Sequence, residues 1–151
     1  MKQRAFSFIE ILVVVTIIAL LTAAGTISYS QFSKTSHDAK RKADLEQIRA
    51  AIELYKSGDP SNLYPLTAAL NFSSCTMGSL KSADETNTYL SKIPNDPKCN
   101  TYIYSYTSSD GTTYKLAAQL ESTSSCTSPP GGNSCGTGNP CNYCLGPYGQ
   151  E

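Results

Sequence analysis

Tryptophan is absent, histidine occurs once, and no proline interrupts the chain from Phe6 to Lys56. A lone imidazole, His37, has no second one with which to hold a metal or relay a proton, so we expect a solvent-exposed residue. No nucleophile, base and oxyanion set can be picked out, nor a Gly-rich phosphate loop or a spaced carboxylate dyad. The chain therefore reads as a non-enzyme without a cofactor. Charge of one sign is also missing: 12 basic and 12 acidic residues cancel to a formal net charge of +0. No basic field remains to make nucleic acid a primary partner. The segment from Ser122 to Gln150 has no Asp or Glu. Hard cations need carboxylates or many carbonyls, so no metal is expected there.

What is present is a long apolar run, Phe6 to Ile27. It opens Phe6-Ser7-Phe8-Ile9-Glu10 and continues through Val13, Val14, Val15, Ile17, Ile18, Leu20 and Leu21. As a helix it measures about 33 Å, enough to cross a bilayer core. Lys2 and Arg4 precede it and predict a cytoplasmic N-terminus, with the rest of the chain and all six cysteines outside. Glu10 is the only ionisable group in the run. A carboxylate there costs on the order of 3 kcal/mol by insertion scales. It becomes tolerable when a cation meets it. A cleaved secretory signal, with its site in Leu21-Thr22-Ala23-Ala24-Gly25, and a plain signal anchor are competing readings. Neither gives Glu10 a purpose.

From Arg4 to Leu21 the chain resembles a type IV pilin or a type II secretion pseudopilin. On that resemblance the leader is Met1 to Ala5 and the mature chain starts at Phe6. Ser7, Ile9 and the Glu10 carboxylate fit the same pattern. The resemblance implies cleavage between Ala5 and Phe6 by a prepilin peptidase, N-methylation of Phe6, and extraction by an assembly platform and its ATPase. Glu10 would neutralise the new amine of a neighbouring copy and set subunit register. The expected location is the inner membrane as a single-pass precursor, then an extracytoplasmic filament of copies of the chain. Two departures stand out. Ala5 occupies the place where the family has Gly, although it is small too. The first helix also lacks the family's proline, so a kink would have to use Gly25, which costs about 1 kcal/mol relative to Ala. Tyr64-Pro65, Pro94, Asp96, Pro97, Tyr102 and Tyr104 are further similar to the major pseudopilin. The calcium site of those relatives has no carboxylates here, and disulfides would order the tail instead.

The rest of the chain follows in order. One helix is expected from Phe6 to Lys56, ended by Gly58-Asp59-Pro60. Leu45, Ile48, Ile52 and Tyr55 recur at helical spacing and form its packing face. Lys40-Arg41-Lys42 reads as a solvated face balanced by Asp38, Asp44 and Glu46. The sharper alternative is a contact with lipid headgroups or a neighbour's acidic patch. Short helices are expected at Leu66–Leu70 and Thr86–Ile93. Tyr102 to Tyr106 alternates like a strand, Asp110-Gly111 turns, and Tyr114 to Leu120 returns. Tyr114, Leu116, Ala118 and Leu120 should face the helix stripe. From Ser122 onward an irregular loop is expected, held by cysteines rather than a core.

Six cysteines beyond a membrane helix point to an oxidising compartment and to disulfides. Cys75 with Cys99 is the expected staple, with Cys126, Cys135, Cys141 and Cys144 pairing among themselves. A zinc site on those four, or a redox pair at Cys141 and Cys144, is the alternative. The expected fold is α+β: a long N-terminal helix, membrane half plus amphipathic half, on a small antiparallel sheet with a disulfide-rich C-terminal loop. The divisions are a leader (1–5), a transmembrane assembly helix (6–29) and an extracytoplasmic globular domain (30–151). The expected function is a filament subunit. The alternatives are a minor tip pilin binding DNA, a surface or cargo, and an unprocessed anchored redox or zinc domain.

Overall fold

The computed structural model describes residues 6–70, 72, 75, 78–122, 124–126 and 134–150, without the side chains at 26–28 and 69. The proposed leader, Ala5 included, lies outside the described residues. The fold is α+β. It forms two compact units divided between Ser36 and His37, and helix α1, Phe8–Gly58, supplies residues to both.

Among its described residues, the first unit is helical from Phe8 onward. Its 18-residue windows reach a mean hydropathy of 2.5, long and apolar enough to cross a membrane. The large side chains from Phe6 to Leu21 are 47 to 83% exposed. Two threonine hydroxyls on this cylinder are satisfied locally. Thr16 Oγ1 donates to the Val13 carbonyl at 2.8 Å and Thr22 Oγ1 to that of Ile18 at 2.7 Å, so neither hydroxyl carries an unmet bond into an apolar solvent.

The second unit packs the far half of α1 on a sheet. At the helix end the Asp59 N–H donates to the Tyr55 carbonyl at 2.9 Å, and Pro60 cannot continue the ladder. Strands β1 (Leu80–Lys81) and β2 (Thr88–Leu90) form a two-stranded ribbon. Strands β3 (Ser105–Thr107), β4 (Lys115–Ala118), β5 (Tyr143–Gly146) and β6 (Gly149–Gln150) form an antiparallel sheet in that order. Leu45, Ile48 and Ile52 are fully buried and share one core with Tyr114, Leu116, Ala118 and Leu120. Both stripes face each other as their spacing predicts. Ala117 points to the opposite face, into a second cluster with Cys135, Cys141 and Cys144.

Three expectations need correction. The span Thr86–Ile93 is not helical. It contains β2, because Ser82, Asp84 and Thr86 build a tight polar turn that folds Thr88 and Tyr89 back along β1. The helix expected at Leu66–Leu70 shrinks to a 3-10 turn, Thr67–Ala69. The tail is disulfide-held as expected, but among its described residues it is not irregular throughout, since it carries β5 and β6. Tyr143, Cys144 and Leu145 are buried, and the register Leu116↔Leu145 and Ala118↔Tyr143 makes β5 an interior strand. Its apolar run is only three residues long, too short for a periodic signal, and its partner decides its state.

Candidate functional site

At the start of α1, Ser7 is the last residue before the helix and Glu10 lies three places on. The Ser7 N–H donates to Glu10 Oε2 at 3.0 Å, and the Glu10 N–H to the Ser7 carbonyl at 3.1 Å. This is the reach-back half of a capping box, in which a Glu side chain satisfies a backbone donor that the helix leaves orphaned. Negative charge there also complements the helix dipole. Phe6, Glu10, Ile11, Val14 and Val15 line a shallow apolar groove on the same stretch. The Ser-x-x-Glu spacing ahead of an apolar run is a standard start signal. The sequence reading treated Glu10 only as an assembly charge and missed its local use.

A second constellation lies where α1 enters the globular unit. Arg41 is 0% exposed, so the expectation that Lys40-Arg41-Lys42 is one solvated face is corrected: only Lys40 and Lys42 face solvent. Arg41 Nε donates to Asp96 Oδ2 at 2.7 Å and its Nη2 to Asp96 Oδ1 at 3.2 Å, a bidentate fork. Its Nη1 donates to Asp38 at 2.8 Å and to Glu121 at 3.2 Å, and its plane lies 5.0 Å from the Tyr102 ring. Asp38 also accepts the N–H groups of Glu121 and Ser122, each at 2.8 Å. Lys98 and His37 complete the group through Glu121, at 2.7 and 3.0 Å. His37 is therefore half-buried and engaged, not a free surface residue. A signal for Arg41 existed. Extending the Leu45, Ile48, Ile52, Tyr55 stripe one turn back lands on Arg41, and one further on Asp38.

The electrostatics follow from these partners. Burial alone would raise Asp38, but hydrogen bonds from Ser122, the Glu121 N–H and Arg41 hold it below its ordinary value of 3.8. Glu121 behaves likewise: burial raises it, and Lys98, His37 and Arg41 together bring it below 4.5. One turn along, burial pushes Asp44 up, only partly offset by the Tyr104 hydroxyl that donates to it at 2.8 Å. The arrangement has charges but no open reacting position. It fastens the middle of α1 to the loop before β3 and to the segment after β4.

The six cysteines form three disulfides: Cys75–Cys99, Cys126–Cys144 and Cys135–Cys141. Cys141 and Cys144 thus have different partners, which separates the CxxC pair and leaves no thiolate for zinc. Among the described residues no group of three or more His, Cys, Asp or Glu could hold a metal. The two tail disulfides cover the outer face of β4 and β5 around Ala117.

One family model matches, that of the prokaryotic N-terminal methylation motif, over residues 1–26. No curated protein and no solved structure matches. The motif falls on the apolar helix that Ser7 and Glu10 start, and the match supports, over residues 1–26, a class III signal of the type IV pilin or pseudopilin kind.

Proposed function

We propose that the chain is a structural subunit of a type IV pilus or a type II secretion pseudopilus. The mature protein begins at Phe6 after cleavage behind Ala5, is N-methylated there, and polymerises through residues 6–29. Residues 30–151 form the outer domain. The observation that carries this reading is an apolar helix exposed on every side with one carboxylate at its start. Such a cylinder suits lipid first and the same helix of several neighbours afterwards, because hydrophobic side chains all round call for burial all round. Glu10 pairs with the Phe6 amine of an adjacent copy, which removes the cost of a lone charge in an apolar bundle. Its Oε2 accepts the Ser7 N–H, and a carboxylate has acceptor capacity left for an ammonium.

The test is intact mass of the membrane-extracted protein beside filament incorporation. Processing gives a chain starting at Phe6 with one added methyl group. A mass that retains Met1 to Ala5 in assembled material would sink the reading and return the chain to the class of unprocessed anchored domains.

A further inference from the structure

A concavity of about 320 Å³ opens between the C-terminal end of α1 and the β1–β2 ribbon. Tyr55 and Tyr89 form its aromatic wall, edge to face with ring centroids 5.5 Å apart. Asp59 and Asp84 both line it, one just past the helix and one from the turn between the strands. Gly58 permits this closure. A Cβ there would collide with the Tyr89 hydroxyl, so the residue that ends α1 also lets the ring lie on the helix end.

The charge is built in. Asp84 accepts the Thr86 N–H at 3.2 Å, Thr86 Oγ1 at 2.8 Å, and the Ser82 hydroxyl. Those bonds, from Ser82 first, hold its carboxyl below the usual aspartate range. Asp59 accepts the Leu63 N–H at 3.2 Å. Neither aspartate makes a salt bridge among the described residues. The helix C-terminus adds partial negative charge from its free carbonyls. The nearby cation of α1 does not fill the space, since Lys56 lies over Tyr64 instead, 4.2 Å from that ring.

Two ring systems, two carboxylates and a helix C-terminus around one cavity are the chemistry that attracts an organic cation. A hard divalent ion fits less well, because it needs six or more oxygens and both Asp84 oxygens are already engaged. We propose that this pocket binds an alkylammonium group, the shared chemistry of a lysine side chain and a quaternary ammonium. The site lies wholly in the outer domain, and the proposal stands independently of filament assembly.

The experiment is an NMR titration of the full chain in a detergent without a quaternary headgroup, observing tyrosine ring signals at constant ionic strength. The probes are tetramethylammonium, Nα-acetyl-lysine methylamide, and the neutral 3,3-dimethylbutanol. Saturable shifts at Tyr55 and Tyr89 are expected with a cationic probe and not with the alcohol. Asp59→Asn with Asp84→Asn should weaken binding roughly tenfold, and Tyr89→Ala should abolish it. Because Tyr89→Ala also removes packing from the ribbon, the Asn variants, which keep the shape, carry the test. A stronger response to the lysine model identifies a protein side chain as the ligand, and a stronger response to tetramethylammonium a quaternary headgroup. Non-saturating shifts with both cations, an equal response to the alcohol, or unchanged affinity in the double Asn variant overturns the proposal.

Discussion

Arg41 keeps a full charge away from water, and every direction from its guanidinium ends on an acceptor or a ring. Removing it strands Asp96, whose side chain is 0% exposed, and Asp38 beside it. Arg41→Ala should therefore cost about 3–5 kcal/mol, measured by urea unfolding. Arg41→Lys keeps the charge but loses the fork and should fall between. A cost near zero for Arg41→Ala would mean that water reaches the site. The same residues set an acid limit. Asp38 and Glu121 titrate below their ordinary values of 3.8 and 4.5 in the folded chain. Their stabilisation is thus fully present above those values and lost as pH falls through the lower folded ones. The unfolding midpoint should fall at pH below about 4, and Asp38→Asn should flatten that limb. An unchanged acid limb in Asp38→Asn would place its origin elsewhere. The sequence announced three cations in a row but not which one turned inward. That choice depends on Asp96 and Glu121, 55 and 80 residues away.

At the scale of elements, α1 was legible because its signals are local: no proline, a long apolar run, then a stripe at spacings of three and four. The hairpin of β3 and β4 was legible from alternation and Asp110-Gly111. The tail was not, since β5 and β6 are short and owe their place to β4 and two disulfides. Thermal unfolding tests this dependence. Reductant should lower the midpoint, each lost tail disulfide costing about 2–4 kcal/mol, while a chelator should leave it unchanged. Sensitivity to chelator but not to reductant would contradict the view that disulfides order this segment. Gly136 is closely approached by the backbone of another loop. Its φ is +128°, and a Cβ would overlap the Thr101 carbonyl. Gly136→Ala should cost about 1–3 kcal/mol and loosen the Cys135–Cys141 loop. The drop in midpoint measures it.

At the scale of the whole molecule, the chain joins an exposed apolar helical run, Phe8 to Leu21, to a disulfide-stapled unit that starts at His37. On the proposed reading, Glu10→Gln separates two uses of one side chain. The amide oxygen can still accept the Ser7 N–H, but no charge is left for a neighbour's amine. The variant should keep its helix content by circular dichroism and its membrane insertion, yet enter filaments poorly. Wild-type incorporation would show that charge pairing is not what Glu10 contributes. The disulfide pattern has a consequence for protease mapping as well. No Lys or Arg lies between Leu116 and Glu151, so trypsin leaves that stretch in one piece, with Cys126–Cys144 and Cys135–Cys141 as internal loops. Cys75 and Cys99 instead hold two separate fragments together. A non-reducing digest thus separates the Cys75–Cys99 staple from the tail pairs by mass alone, and a tail peptide found joined to either of those fragments would contradict the pairing.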